Sequence, residues 1–177
     1  MTPTTRRLFV AVDPPPSARE HLLRAVAPLR DAPGAPRWAA PERWHLTLLF
    51  LGAVPEERVG PLTAATGTVV AAAPAMELRL AGAGRFGSVR RPQVFWAGLD
   101  GDVPSLVELG LPVEDRSFRP HLTLGRWPPR RPADGTLPER LAGYTGPAWP
   151  VTEVRLVESH LGGKATRHEV LAAFPIG

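Results

Sequence analysis

Cysteine is absent from the 177-residue chain, which excludes thiol catalysis, zinc ribbons, iron–sulfur ligation and a disulfide framework together. No apolar run approaches the ~18 residues of a membrane-spanning helix. The apolar stretch from Leu8 to Val12, behind two arginines, is too short for a signal h-region of about 7–15 residues. Cytoplasm is therefore the expected compartment, and no membrane partner is expected. Lysine is reduced to Lys164, isoleucine to Ile176, and asparagine is missing. This bias reads as a GC-rich genome rather than a functional choice. The net charge of +4 is carried almost wholly by arginine. That suits phosphate or nucleic-acid partners, although a merely soluble surface accounts for it as well.

The length fits one domain, or two very small lobes sharing a core, and needs no staple to bury that core. The apolar fraction of 44% and charged fraction of 21% are those of an ordinary globular chain. The 22 prolines are spread as punctuation and cut the chain into short elements. Strands are predicted over 7–12, 44–51, 76–80, 93–99, 119–126, 151–159 and 169–174. A helix over about 17–30 follows from Leu22, Leu23, Val26 and Leu29 at helical spacing, with Ser17 as N-cap and Glu20 completing a capping box. A second helix spans 55–73, opened by Pro55 with Glu56 and Glu57 in its first turn. A weaker helix is predicted over 133–142. Strands in pairs between helices favour an α+β fold with antiparallel pairing over a doubly wound parallel sheet.

One local repeat outweighs the rest: Trp44-His45-Leu46-Thr47-Leu48 and Pro120-His121-Leu122-Thr123-Leu124. Two copies of one strand unit predict two similar lobes facing each other. Residues two apart in a strand share a face. His45 and Thr47 then point away from Leu46 and Leu48, and His121 and Thr123 away from Leu122 and Leu124. With the leucines buried, an imidazole beside a hydroxyl is offered twice to a shared cleft.

A lone strand histidine is more often a packed or hydrogen-bonded group than a catalyst, but chance rarely delivers the doubled motif. Three chemistries compete for it. Metal binding lacks an HExxH motif and any acidic residue at ligand-like offsets, so no metal or cofactor is expected. A Ser-His-Asp triad lacks a nucleophile elbow, and Ser88 has no such context. Paired acid–base catalysis on a phosphodiester uses every residue of the repeat. A neutral imidazole takes a proton from the attacking oxygen, an imidazolium gives one to the departing oxygen, and the threonines hold the non-bridging oxygens. This predicts a kcat/KM that is bell-shaped between roughly pH 5 and 8.

The duplicated motif resembles the 2H phosphoesterase superfamily. So do Arg7 to Val12 followed by prolines, the run of His45 to Leu48 into Phe50-Leu51-Gly52, and Phe118 to Leu124 followed by Arg126. Within that superfamily the chain is most similar to the bacterial and archaeal RNA 2′,3′-cyclic phosphodiesterases, historically called 2′-5′ RNA ligases. The resemblance runs from Arg7 to about Phe174. It implies one bilobal, pseudo-symmetric α+β domain over 1–177, with two antiparallel sheets lining a central cleft and helices outside. It also implies metal-independent opening of a terminal 2′,3′-cyclic phosphate to a 2′-phosphomonoester. Carried over by motif, His45 is the proton donor to the leaving 3′ oxygen and His121 the base for water. Thr47, Thr123 and Arg126 bind the phosphate. ATP-independent joining of a 5′-hydroxyl in a 2′-5′ linkage follows from reversibility.

Two departures stand out. The segment between Leu99 and Phe118 is short, with room for about one helical turn around Ser105 to Leu109. Near the C-terminus Ser159 and Gly163 match the family's serine and glycine, but His168 stands in its usual tyrosine place, where an exposed role is favoured for it, as for His160. Phe9, Trp44 and Phe118 are the aromatics near enough to stack an RNA base. The odd offsets of Trp44 and Phe118 favour core packing. Arg91, clustered with Arg85 and Arg90 around a glycine loop, is a candidate to track an RNA backbone, and Ser159 to contact substrate. The partners expected are RNA ends bearing 2′,3′-cyclic phosphate or small cyclic nucleotides, met by a monomer with no obligate protein partner. Alternatives are a cyclic phosphodiesterase for a small nucleotide, such as a cyclic ADP-ribose phosphate, and a non-catalytic RNA-end-binding module.

Overall fold

The computed structural model of the chain describes residues 4–109, 119–162 and 166–176. Its strands are β1 (Thr5–Val12), β2 (Arg37–Trp38), β3 (Leu46–Pro55), β4 (Glu77–Gly87), β5 (Pro92–Gly101), β6 (Leu122–Arg126), β7 (Thr145–Pro150), β8 (Glu153–His160) and β9 (Arg167–Pro175). The helices are α1 (Pro16–Val26), α2 (Glu56–Ala71) and the short α3 (Val103–Val107), with 3-10 turns at Ala27–Leu29, Pro41–Arg43 and Leu137–Leu141.

Every strand pairing is antiparallel, in the order β7-β4-β5-β6-β3-β1-β8-β9, with β2 added to β6. Two four-strand halves are evident. β7-β4-β5-β6 carries the second copy of the repeat on its inner edge, and β9-β8-β1-β3 carries the first. The predicted α+β architecture of two antiparallel lobes is thus present. The lobes meet at a single ladder position, Leu46 opposite Leu122, which makes them one curled sheet.

The core lies under that seam. Leu8, Val10 and Val12 of β1, Leu46 and Leu48 of β3, Leu78 and Leu80 of β4, Leu122 and Leu124 of β6, and Val154 and Leu156 of β8 all bury into one cluster. The alternation predicted for both His-Leu-Thr-Leu units therefore holds. α1 follows β1 of one half but packs on β7 and β4 of the other, while α2 lies on β9 and β3. Ala18, Leu22 and Val26 of α1 and Val70 of α2 close the core from outside.

Several local expectations are corrected. α1 starts at Pro16 after Pro15 and makes no side-chain capping bond, so Ser17 sits inside the first turn and the Ser17–Glu20 box is not formed. Two prolines preset the dihedrals that a cap would otherwise have to select. β3 runs past Gly52 to Pro55 because Gly52, at φ +68, accommodates a bulge rather than ending the strand. The stretch 133–142 forms a 3-10 turn over Leu137–Leu141 in place of a helix. β2, a mere Arg37–Trp38 pair, and β7, rich in proline and glycine, carried no alternating pattern to reveal them.

Candidate active site

Register builds the site. With Leu46 facing Leu122 across an antiparallel seam, His45 is directed toward Thr123 and Thr47 toward His121. Both leucines are fully buried beneath. The four polar side chains stand above them and line one cleft of about 500 Å³ between the halves.

The two imidazoles are held alike. His45 Nδ1 lies 2.7 Å from the Arg43 carbonyl, and His121 Nδ1 lies 2.8 Å from the Arg119 carbonyl, each two residues upstream. A carbonyl can only accept, so Nδ1 carries the proton in each ring and Nε2 is left for the cleft. In the neutral form each Nε2 is an acceptor; in the charged form it is a donor. Either ring can thus take or give a proton without turning.

Their surroundings differ. Phe86, at a centroid distance of 4.8 Å and edge-on, and Trp96, at 6.4 Å, wall His121. His45 leans on Phe9 at 5.0 Å and meets the His168 ring edge-on at 5.2 Å. Burial is the main cause that pushes His45 below the ordinary imidazole range, with the charge of His121 adding to it. The bond to the Arg43 carbonyl and the Asp13 carboxylate act in the other direction. His168 is likewise lowered, by desolvation first and by the neighbouring His45 and Arg43 charges after it.

Two β-bulges in the β1–β3 ladder shape the mouth of the cleft. Val10 pairs with Leu49 but Ala11 with Thr47, and Leu8 with Gly52 but Phe9 with Phe50, so Leu48 and Leu51 are extra residues. The bulge at Leu48 reverses the phase and that at Leu51 restores it, so between them Leu49 and Leu51 pack toward the core while Phe50 swings out to the cleft, 73% exposed. Its ring stands 6.1 Å from that of Phe9.

Of the residues singled out in the sequence, His45, Thr47, His121, Thr123, Arg126, Phe9 and Ser159 line this cleft. Phe9 is almost fully buried, as floor beneath His45 and His168 rather than an open platform. Trp44 is core, as its offset predicted. Arg91 lies elsewhere, in the exposed Ser88–Arg91 turn between β4 and β5, where its N–H donates to Ser88. Arg85 is tied to the Gly135 carbonyl and Glu139. Phe118 and Gly163 fall outside the described residues. Two contributors went unread, Phe50, hidden by a bulge, and Arg43; His168, expected to be exposed, is exposed but is brought to the cleft wall by its β8–β9 pairing with Ser159. His160 instead lies against two carboxylates, its Nε2 3.0 Å from Glu169 and 3.8 Å from Glu158. Those three residues bring possible ligand atoms within 4.8 Å of one another, but Arg6 and Arg167 already approach the two carboxylates. Among the described residues no helix is long and apolar enough to cross a membrane.

Paired His-Thr units on a curled antiparallel sheet define a class of phosphoesterases, and comparison with known proteins places the chain in it. The description "LigT like Phosphoesterase" matches residues 12–96. An RNA 2′,3′-cyclic phosphodiesterase of Thermus thermophilus is 32% identical over 187 residues, covering 96% of this chain and 90% of that protein. One of Geobacillus stearothermophilus is 29% identical over 181 residues, covering 95% of this chain; the chain spans 56% of that relative's length. The crystal structure of a Thermus thermophilus protein superposes with a TM-score of 0.77 at 31% identity, covering 96% of this chain and 97% of that one. The chain belongs to the LigT-like phosphoesterase family.

Proposed function

We propose that the protein is a metal-independent RNA 2′,3′-cyclic phosphodiesterase of the cytoplasm, in which His45 and His121 are the catalytic acid and base. The observation that carries this reading is the matched pair of imidazoles. Each is fixed through Nδ1, and each presents Nε2 to one cleft beside a threonine hydroxyl. The curated relatives bear the same activity in their names.

His121 Nε2 takes a proton from water as its oxygen bonds to phosphorus. The bond from phosphorus to the 3′ oxygen breaks, and His45 Nε2–H protonates that oxygen. The product is a 2′-phosphomonoester and a free 3′-hydroxyl. Proton exchange with solvent returns both imidazoles to their starting states. The Thr47 and Thr123 hydroxyls donate to the non-bridging oxygens, and the Arg126 guanidinium, at the end of β6, offsets their charge. A 5′-hydroxyl in place of water gives a 2′-5′ linkage through the same steps, without ATP.

The test is incubation with an RNA oligomer ending in a 2′,3′-cyclic phosphate, in excess EDTA, alongside His45→Ala and His121→Ala. Chromatography identifies the product end. Wild type is expected to yield a 2′-phosphate, with each variant slower by about 10²–10⁴. Full activity in either variant, or dependence on added metal, would overturn the mechanism.

A further inference from the structure

Behind the wall made by His45 and His168 a second cavity of about 490 Å³ opens. Phe9, Arg43, His45, Thr166 and His168 line both it and the cleft, so the two form one groove. Its floor is apolar, from Ala11, Val157 and Val170, and Arg43, Arg155 and Arg167 outnumber Asp13 and Glu42 around it, although not all of these charges are available. Asp13 and Arg155 close on each other at 2.7 Å, and Arg155 also holds Glu153 at 2.6 Å. Those charges are spent. Arg167 approaches Glu169 only at 3.9 Å, with its side chain 75% exposed. Among the described residues no carboxylate pairs with Arg43. Its Nη1 donates to the Thr166 carbonyl at 3.4 Å, which steadies the guanidinium at the junction of the two cavities.

We infer that the second cavity is the subsite for the nucleotide preceding the cyclic-phosphate end, and that Arg43, with Arg167, pairs with the phosphodiester linking the two. The inference rests on the RNA reading of the cleft. The volume falls within the roughly 300–1,000 Å³ of small-ligand sites. An apolar floor accepts the face of a base, and a planar guanidinium fork matches two phosphate oxygens. A cyclic mononucleotide reaches the cleft alone. The substrate class this selects is therefore an oligonucleotide end, read by charge one nucleotide upstream of the reacting phosphate.

The test compares two dinucleotides ending in 2′,3′-cyclic phosphate, one with the native linkage and one with an uncharged methylphosphonate linkage. kcat/KM is measured for wild type, Arg43→Ala, Arg43→Lys and Arg167→Ala. The corresponding 2′-phosphate products serve as probes in equilibrium binding. Wild type should prefer the native linkage by about tenfold or more in both readouts. Arg43→Ala should bring the ratio close to one, Arg43→Lys should restore part of it, and Arg167→Ala should reduce it. The ratio is internal to each variant, so a general loss of activity does not mimic the effect. Should Arg43→Ala fail to fold, the lysine variant and Arg167→Ala carry the same comparison. Equal handling of both linkages by wild type, or an undiminished preference in the variants, overturns the subsite. Absence of all turnover would instead refute the proposed activity, with product binding still deciding the subsite.

Discussion

Leu46 and Leu122 face each other as the one paired position between β3 and β6, and each is fully buried directly beside a cleft histidine. A single contact thus sets the spacing of two functional strands. Truncating either leucine removes apolar burial and opens a cavity under the seam. Leu122→Ala should cost about 2–5 kcal/mol of stability, read from urea unfolding. It should also lower kcat/KM by more than a cavity of the same size placed away from the seam, for example by Leu22→Ala in α1, which packs on β7 and β4. Equal kinetic effects of the two would mean that the seam does not position the histidines.

His45 gives the pH dependence a defined sign. Its folded pKa lies below the ordinary 6.5, chiefly through burial. The unfolded chain therefore binds more protons than the folded one between the two values. Stability rises with pH across that window, is fully present above 6.5, and is lost as pH falls through the folded value. His168 acts in the same sense. Tm should therefore drop as pH falls below about 6.5, and His45→Gln should flatten that fall. Rate carries the complementary information. If His45 is the donor, it must be charged, and the alkaline limb of kcat/KM moves below about 6.5. If it is the base, the acid limb carries the shift. Titrating the His45 ring signals by NMR in the free protein identifies which limb belongs to it.

Much of this site was legible because it depends on strand alternation and duplication, both of which are written in one short repeat. His45, Thr47, His121 and Thr123 needed only the rule that residues two apart share a face. Phe50 failed that rule for a physical reason. From Leu48, alternation puts Phe50 in the core, and the bulge at Leu48 against β1 turns it out. A bulge is a property of the pair of strands and has no signature in one of them. Arg43 and the cleft position of His168 were missed for a related reason. Their positions depend on the β8–β9 register and on a 3-10 turn, and neither sits in a motif. Arg91 lies in the loop where the sequence puts it, but a glycine- and arginine-rich loop gives no indication of which way its turn faces.

Phe50 is an apolar ring left in water at the mouth of a cleft, an arrangement that contributes nothing to folding. Stacking of a base on such a ring is worth about 1–3 kcal/mol. Phe50→Ala should therefore raise KM for an RNA end by roughly tenfold, by the same principle, and leave Tm essentially unchanged. Phe50→Trp should retain affinity. A fall in Tm with no change in KM would assign the ring to folding instead of binding.

Gly84 tests the wall of the other histidine. It pairs with Trp96 across β4 and β5, and a Cβ built on it would lie 2.2 Å from Trp96 Cζ2. No side chain fits there unless the indole moves, and the indole is part of what backs His121. Gly84→Ala should cost about 1–3 kcal/mol from overpacking and lower kcat rather than raise KM, because the displaced ring disturbs His121. Among the described residues the buried Trp96 Nε1 has no hydrogen-bond partner, so Trp96→Phe sacrifices none there and frees the space. The double variant Gly84→Ala with Trp96→Phe should therefore be more stable than the sum of the single effects, with part of kcat recovered. Strict additivity would show that the two residues do not share the contact, and that the His121 wall does not depend on the glycine.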